Sequence, residues 1–252
     1  FPMQLPLYFF GDTHFKSSQS NQEKAKVKKF SDFLTFITTK TSAGSLFIMG
    51  DFFDYYFEYK NQKKSDFDEI FSKIEKMKNN GFEIYFIAGN HDYWIGNYFK
   101  KYTNKTFLDD TTITHNNASI YVTHGDGILS WDTSYRLLKK VLRSSIFIKS
   151  YSLLPKSIAQ KIADKISYER KDSHQIDQNK IARIHNELES FTKEKINEGH
   201  NYVIMGHYHH SYHKKFDNGE LILLGECNEL NYNYAIFDGD KLYSISPDDE
   251  EV

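Results

Sequence analysis

The chain has 252 residues, which is long enough for one α/β domain with an insertion or for two small domains. Its formal net charge of −2 excludes a bulk attraction to nucleic acid, so we expect no nucleic-acid partner. The single cysteine, Cys227, excludes a disulfide framework and favours a cytoplasmic location. No run of residues reaches the roughly 18 apolar residues of a membrane-spanning helix.

Strand-like and helix-like segments alternate in the first part of the chain. Short apolar runs predict buried strands at 5–11, 45–50 and 82–89. Apolar residues at the spacing of one helix face predict helices at 21–40 and 65–81. This alternating order predicts an α/β fold with a mainly parallel sheet that helices cover.

The second part of the chain combines further strands with a long helical stretch. Apolar runs predict strands at 118–125, 201–207, 219–226, 233–239 and 241–246. We expect the last three to form antiparallel hairpins, with turns at 217–219 and 238–240. Helical patterns fill the interval between the first two of these five strands. We therefore predict a core of residues 3–126 and 201–246 with a helical cap at 127–200.

Five of the strand-like runs end in a polar cluster, namely FFGDTH, IMGDFFD, IAGNHD, VTHGD and IMGHYH. Ligands of open α/β sheets bind at the carboxyl ends of the strands, so these clusters should converge. The side chains gathered in this way are Asp12, His14, Asp51, Asn90, His124, His207 and His209. The alternative is that they lie in polar loops or cap helices.

Imidazole and carboxylate donors together suit manganese, iron or zinc better than magnesium or calcium alone. Seven donors exceed the needs of one ion and suit two divalent ions that share a carboxylate. We assign Asp12, His14 and His209 to the first ion and Asn90, His124 and His207 to the second. Asp51 bridges the two ions in this assignment. We interpret His210 and His213 as solvated residues or residues at the edge of the site.

The ordered series Asp-x-His, Gly-Asp-x-x-Asp, Gly-Asn-His-Asp, His-Gly-Asp and Gly-His-x-His resembles the calcineurin-like metallophosphoesterases. The resemblance implies a sandwich of two mixed sheets flanked by helices, and a metal-dependent hydrolase of phosphoric esters. It also implies that His91 steadies the transition state or protonates the leaving oxygen. We expect Asp92 to hold the far ring nitrogen of His91, and Asp54 and Asp126 to support the metal ligands.

The stretch THGDGILSWDTSY is similar to a stretch of the UDP-2,3-diacylglucosamine hydrolases of lipid A biosynthesis. The resemblance implies that Asp132 and Tyr135 contact substrate, and that the helical insertion shelters acyl chains. Asp132 could instead cap the following helix. This sequence also departs from the pattern, because arginine commonly occupies the positions of His91 and His210 in such enzymes.

The insertion is basic although the chain is slightly acidic. Residues 135–172 contain ten basic and three acidic side chains, with apolar residues between them. A basic amphipathic segment is typical of a surface that lies on anionic lipid, and the same charge would attract a diphosphate. An ordinary cap domain with a solvated face is the alternative.

Three functions are compatible with these observations. The first is a peripheral enzyme on the inner face of the cytoplasmic membrane that cleaves UDP-2,3-diacylglucosamine to UMP and 2,3-diacylglucosamine 1-phosphate. The second is a soluble phosphodiesterase or phosphatase that acts on nucleotides or other small phosphate esters. The third is a non-catalytic scaffold, which the complete set of seven donors disfavours.

Overall fold

The computed structural model describes residues 3–155, 158–159, 161 and 178–245. Its strands are β1 (Leu7–Phe10), β2 (Gly44–Ile48), β3 (Phe82–Ile87), β4 (Lys105–Phe107), β5 (Thr111–His115), β6 (Ala118–Val122), β7 (Tyr202–Met205), β8 (Tyr212–Phe216), β9 (Gly219–Leu223), β10 (Tyr234–Phe237) and β11 (Leu242–Ile245). Its helices are α1 (Asn21–Lys40), α2 (Asp68–Asn79), α3 (Asn97–Lys100), α4 (Thr133–Leu142), α5 (Ser145–Tyr151) and α6 (Gln178–Asn197).

The strands form two mixed sheets, as the resemblance to the calcineurin-like metallophosphoesterases implies. The first sheet has the order β11-β10-β1-β2-β3-β4, and its β1 to β4 are parallel. The second sheet has the order β5-β6-β7-β9-β8, with β6, β7 and β9 parallel. The parallel strands of each sheet direct their carboxyl ends to one edge of that sheet, which is where the predicted polar clusters begin.

The central strands β1, β2 and β3 of the first sheet are buried on both faces, and their side chains alternate between two apolar clusters. Tyr8, Phe10 and Ile48 belong to the cluster that also contains residues of α1 and α2. Leu7, Phe9 and Phe47 belong to the cluster that also contains residues of the second sheet. Strands that are buried on both faces read as continuous apolar runs, which explains why these strands were predictable.

The prediction of the last hairpins was wrong in one respect. The turn at 238–240 does join an antiparallel pair, β10 and β11. The turn at 217–219, however, joins β9 to β8, a strand that the sequence pattern did not predict. β9 pairs with β7 and β8, whereas β10 pairs with β1 in the other sheet. Three successive exposed residues in β8, His213 to Lys215, hide the alternation that marks a strand.

The chain divides into two compact units, one of residues 1–126 with 192–252 and one of residues 127–191. The second unit contains α4, α5 and the first part of α6. Part of the predicted helical cap, residues 156–157, 160 and 162–177, lies outside the described residues. Within the described part of the chain, none of the helices is long and apolar enough to cross a membrane.

Candidate metal centre

The predicted donor residues follow five strands of the first unit. Asp12 and His14 follow β1, Asp51 follows β2, and Asn90 follows β3. His124 follows β6, and His207 and His209 follow β7, so both sheets contribute to one site. Asp12, Asp51 and His124 are buried almost completely, which places their polar atoms away from bulk water.

The donor residues adopt an unusual backbone conformation. Positive φ angles occur at Asp12 (51°), His14 (45°), Asp51 (46°), His207 (73°) and His209 (60°). Residues other than glycine rarely adopt this left-handed conformation, and each such residue costs on the order of 1–2 kcal/mol. Backbone strain of this kind is concentrated at functional sites, where the surrounding contacts maintain it.

The Asp-x-His and His-x-His segments are therefore bent at their ligand residues, not extended. Each segment turns at its two donor residues, and the intervening side chain is held elsewhere. Thr13 donates its hydroxyl hydrogen bond to the Phe52 carbonyl at 2.8 Å, and Tyr208 donates to the Gly125 carbonyl at 3.0 Å. His210 also lies in this bend, with its Nδ1 2.8 Å from the Tyr208 carbonyl oxygen.

The structure brings the donor atoms together in overlapping groups, each with atoms within 4.8 Å of one another. One group is Asp12, His14 and His209, and a second is Asp51, His124 and His207. A third group joins His14, Asp51 and His91. The first group contains the three residues predicted for the first ion, and the second contains His124 and His207, predicted for the second ion, together with Asp51. The third group shares His14 with the first and Asp51 with the second.

Distances between donor atoms fit shared cations. His14 Nε2 lies 3.2 Å from His209 Nε2, and His124 Nε2 lies 3.3 Å from Asp51 Oδ2 and 3.2 Å from Asn90 Oδ1. Ions of the zinc type bind nitrogen and oxygen at about 2.0–2.2 Å, so two donors on one ion lie roughly 3 to 3.6 Å apart. Asp51 Oδ2 is also 3.9 Å from His14 Nε2, which places this oxygen between the two groups.

The outer nitrogens of the imidazoles are held by acceptors. His124 Nδ1 lies 2.8 Å from the Met49 carbonyl, and His209 Nδ1 lies 3.4 Å from Glu226 Oε2. Because a carbonyl oxygen only accepts, Nδ1 of His124 must donate, and its Nε2 faces two further acceptor oxygens. A proton or a metal cation must therefore lie among His124 Nε2, Asn90 Oδ1 and Asp51 Oδ2. Imidazole nitrogens and carboxylate oxygens together are ligands that suit divalent metal ions.

Burial and neighbouring charges shift the acidities of the cluster in different directions. Burial lowers the pKa of His207 to about 3 and holds the pKa of His14 well below its ordinary value. Burial also opposes the charged form of His124, but the adjacent Asp51 carboxylate outweighs it and raises this pKa to about 10. In Asp51 itself, burial acts to raise the pKa, yet the neighbouring His124 and His91 hold it well below its usual range.

His91 lies beside the first group of donors. Its ring centroid is 4.9 Å from that of His14, and its backbone N–H donates to Asp51 Oδ1 at 2.9 Å. Its Nδ1 is 2.6 Å from the backbone carbonyl oxygen of Asp54, which fixes the ring and leaves Nε2 on the opposite side. The Asp54 carboxylate itself is 4.0 Å from His14 Nδ1.

The expectation that Asp92 holds the ring of His91 was wrong. The Asp92 carboxylate is fully buried and accepts backbone N–H groups instead. Oδ2 accepts from Phe52 at 2.7 Å and Phe53 at 3.4 Å, and Oδ1 accepts from Gly89 at 2.8 Å and Asp51 at 3.3 Å. Asp92 thus ties the loop after β3 to the loop after β2. The acceptor beside His91 Nδ1 is the Asp54 carbonyl and not the Asp92 carboxylate.

One residue at the site, Glu226, was not identified from the sequence. Glu226, which contacts His209, follows β9 in the same way that the predicted donors follow their strands, so its pattern could have revealed it. Gly89 and Gly206 have no room for a Cβ atom, because it would collide with the carboxylates of Asp51 and Asp12, respectively. Glycine at these two positions lets the backbone approach the two carboxylates closely.

The remaining predicted residues lie in different surroundings. Asp126 is 8% exposed, and its charge is one of those that raise the pKa of His124. Asp132 and Tyr135 belong to the second unit, where Asp132 caps α4 by accepting the Tyr135 backbone N–H at 3.1 Å. This cap explains the position of Asp132 without a ligand. Contact of Asp132 and Tyr135 with substrate stays a prediction.

Comparison with known proteins agrees with this geometry. Residues 5–237 match the family described as calcineurin-like phosphoesterase. A UDP-2,3-diacylglucosamine hydrolase from Haemophilus influenzae is 30% identical over 230 residues, which cover 90% of this chain and 92% of the relative. An enzyme of the same name from Porphyromonas gingivalis is 27% identical over 265 residues, covering 99% of this chain and 100% of the relative.

Solved structures with a similar chain path include an archaeal phosphodiesterase. It is 14% identical, with a TM-score of 0.46, and the match covers 96% of this chain and 99% of that one. The family match over most of the sequence confirms the resemblance drawn from the five motifs. The chain belongs to the calcineurin-like phosphoesterases, and it is a metal-dependent phosphoester hydrolase.

Proposed function

We propose that the enzyme hydrolyses the diphosphate of UDP-2,3-diacylglucosamine, releasing UMP and 2,3-diacylglucosamine 1-phosphate at the inner face of the cytoplasmic membrane. The observation that carries the proposal is the convergence of Asp12, Asp51 and His124 with His14, His207 and His209 in linked groups, and with Asn90 beside His124. Relatives named for this reaction, at 30% and 27% identity over most of the chain, support the choice of substrate.

In this proposal the cluster holds two divalent ions, for which we favour manganese. Asp12, His14 and His209 hold the first ion, and Asn90, His124 and His207 hold the second, with Asp51 shared between them. Two bound ions supply a nucleophile at neutral pH by lowering the pKa of water, and they neutralise charge on the phosphoryl group. The protein keeps the donors fixed through the outer contacts of its imidazoles.

Asp51 and His91 have separate tasks at the reacting group. Asp51 accepts the His91 backbone N–H with Oδ1, which leaves Oδ2 directed towards both donor groups. His91 Nδ1 faces the Asp54 carbonyl, so it carries a proton, and we assign the role at the substrate to Nε2. When His91 is an imidazolium, Nε2 can donate a proton to the leaving oxygen or stabilise phosphoryl charge.

The second unit provides a surface suited to a lipid substrate. No residue of α4 is buried, and its apolar side chains lie at helical spacing between basic ones. Leu137, Val141, Ile146 and Leu153 are 66%, 49%, 78% and 84% exposed, respectively. An exposed apolar face with flanking basic residues favours contact with acyl chains and an anionic membrane surface. We therefore propose that residues 127–200 act as a cap over the lipid part of the substrate.

The test compares two substrates in the presence of Mn²⁺. The enzyme is incubated with UDP-2,3-diacylglucosamine and, separately, with a chromogenic phosphodiester. The Asp51→Ala and His124→Ala variants are tested in parallel, and the exposed Asp66→Ala variant serves as the control. We expect UMP release from the lipid nucleotide, loss of that activity in both site variants, and no loss in the control.

Each other outcome points to a different function. Hydrolysis of the chromogenic ester alone would refute the lipid substrate and favour a phosphodiesterase that acts on small esters. Failure to hydrolyse either compound, in protein that has been shown to hold two ions, would refute catalysis and favour a scaffold. Cosedimentation with anionic liposomes tests the membrane surface separately, and protein that stays entirely in the supernatant would refute it.

A further inference from the structure

Lys26 is a buried lysine on the first helix. Only 9% of the residue is exposed, and Glu23, one helical turn earlier, is 4% exposed. Lysine and glutamate are almost never buried to this extent unless they are paired, because removing a charge from water is unfavourable. The charges of Lys26 and Glu23 are compensated by their contact with each other and by hydrogen bonds to the backbone.

The Lys26 ammonium has an acceptor for each of its three hydrogens. Nζ donates to the backbone carbonyls of Thr13 at 3.0 Å and His14 at 2.9 Å, and it lies 3.2 Å from Glu23 Oε1. Glu23 accepts the backbone N–H of Lys16 at 2.9 Å with its other oxygen. The pair therefore contacts the main chain on both sides of Phe15.

The segment that this pair contacts is the strained one that carries two proposed ligands. Asp12 and His14 have φ angles of 51° and 45°. Their backbone N–H groups donate to the Gly50 and Asp51 carbonyls at 3.1 and 3.0 Å, which ties one side of the segment to the loop after β2. The carbonyls of Thr13 and His14 are tied on the other side, by Lys26. A strained backbone persists only where its surroundings over-determine it.

We propose that Lys26, with its charge balanced by Glu23, is a positioning residue that fixes the segment from Asp12 to His14 for binding of the first cation. Lys26 acts on the ligands through the backbone carbonyls between and beside them, and it does not itself touch the ion. The inference rests on the proposed two-ion site and adds to it a residue that none of the five motifs contains.

A positioning role and simple charge repulsion predict opposite changes in cation affinity when the Lys26 ammonium is removed, so an experiment can distinguish them. A positive charge near a cation site repels the cation, so removing the ammonium would tighten cation binding if charge alone mattered. If the hydrogen bonds to Thr13 and His14 matter more, removing the ammonium loosens the segment and weakens binding. Glu23 offsets the charge of Lys26, so we expect the positioning effect to dominate.

The experiment titrates metal-free enzyme with Mn²⁺ and measures free Mn²⁺ by electron paramagnetic resonance. In Lys26→Met, one of the two ions should bind roughly 10- to 100-fold more weakly, the range found for residues that support metal ligands. The Mn²⁺ concentration for half-maximal hydrolysis of a chromogenic phosphodiester should rise by the same factor. KM for that ester at saturating Mn²⁺ should be unchanged, because the Lys26 side chain is buried and its ammonium donates to the backbone.

A matched control separates positioning from the general loss of a lysine. Lys78 on α2 also donates to two backbone carbonyls, those of Lys101 at 3.4 Å and Thr103 at 3.3 Å, in a segment without proposed ligands. Lys78→Met should leave both Mn²⁺ affinities at the wild-type value. Equal weakening in Lys78→Met would show a non-specific effect of destabilisation and would overturn the proposal.

A second variant guards against misfolding caused by a lone buried carboxylate. Glu23→Gln/Lys26→Met removes both charges, and it should still bind one ion more weakly because the two carbonyls lack their donor. Wild-type or tighter affinity for both ions in Lys26→Met and in the double variant would overturn the inference and leave the two-ion site intact. Wild-type enzyme that binds no Mn²⁺ would instead refute the proposed function itself.

Discussion

The Asp92 carboxylate provides a quantitative test of how the site is held together. Asp92→Asn replaces one carboxylate oxygen with an NH₂ group, which can only donate. Whichever way the amide lies, this group faces either the Phe52 N–H, now 2.7 Å from the carboxylate, or the Gly89 N–H, now at 2.8 Å. One short hydrogen bond to a charged group is lost, and one buried N–H loses its acceptor.

The expected cost follows from these two losses. A hydrogen bond to a charged group contributes about 1.5–3 kcal/mol, and an unsatisfied buried donor costs about 1–3 kcal/mol. These contributions overlap, so we expect Asp92→Asn to lower the free energy of unfolding by about 3–5 kcal/mol. That is a large part of the roughly 5–15 kcal/mol typical of a folded domain.

Burial raises the pKa of Asp92 to about 7, so the change is measured at pH 9, where the carboxylate is charged, by urea unfolding of metal-free protein followed by circular dichroism. Asp66→Asn is the control, because Asp66 is exposed and its replacement should change the free energy of unfolding by less than about 0.5 kcal/mol. A loss below about 1 kcal/mol in Asp92→Asn would contradict the four backbone contacts. An altered pH profile of kcat without loss of stability would restore the role of Asp92 as a partner of the His91 ring.

Three further predictions concern the site and the cap. Gly89→Ala puts a Cβ atom into the Asp51 carboxylate, so Mn²⁺ binding should weaken more than about tenfold in a paramagnetic-resonance titration, and wild-type affinity would contradict the close approach. The pKa of His124 is raised to about 10, so at pH 8 a cation that binds there must displace its proton, and Mn²⁺ affinity should rise with pH up to about 10. Calorimetry at pH 8 in buffers of different ionisation enthalpy should detect at least one proton released on Mn²⁺ binding. No proton release would refute the assignment of His124 as a ligand. Leu137→Asp/Val141→Asp places charges on the exposed face of α4 and should reduce cosedimentation with anionic liposomes without slowing hydrolysis of a chromogenic ester. Undiminished cosedimentation would show that this face is not the membrane-binding surface.

The sequence predicted the elements that have a strong local pattern. The strands that became β1, β2 and β3 are mostly apolar because these strands are buried on both faces. Each ends in polar residues, so the convergence of donor residues followed from the rule that parallel strands share one carboxyl edge. The division into two sheets came from the family resemblance, because periodicity does not reveal which strands pair.

The remaining features depend on contacts between distant parts of the chain. Left-handed backbone at Asp12 and His207 arises from the folded loops, and nothing in Asp-x-His or His-x-His specifies it locally. The partner of Asp92 was predicted wrongly because nearness in sequence suggested His91, whereas the amides of a loop about 40 residues away lie closer. Lys26 shows the same limit, because an amphipathic helix pattern gives no sign that one of its lysines is buried.

The most direct measurement of the central claim is the anomalous diffraction of manganese in crystals of the Mn²⁺-loaded enzyme. The account predicts two peaks, one contacting Asp12, His14 and His209 and the other contacting Asn90, His124 and His207, with Asp51 in contact with both. Absence of a peak among these residues, or a single ion that Asp51 does not contact, would contradict it.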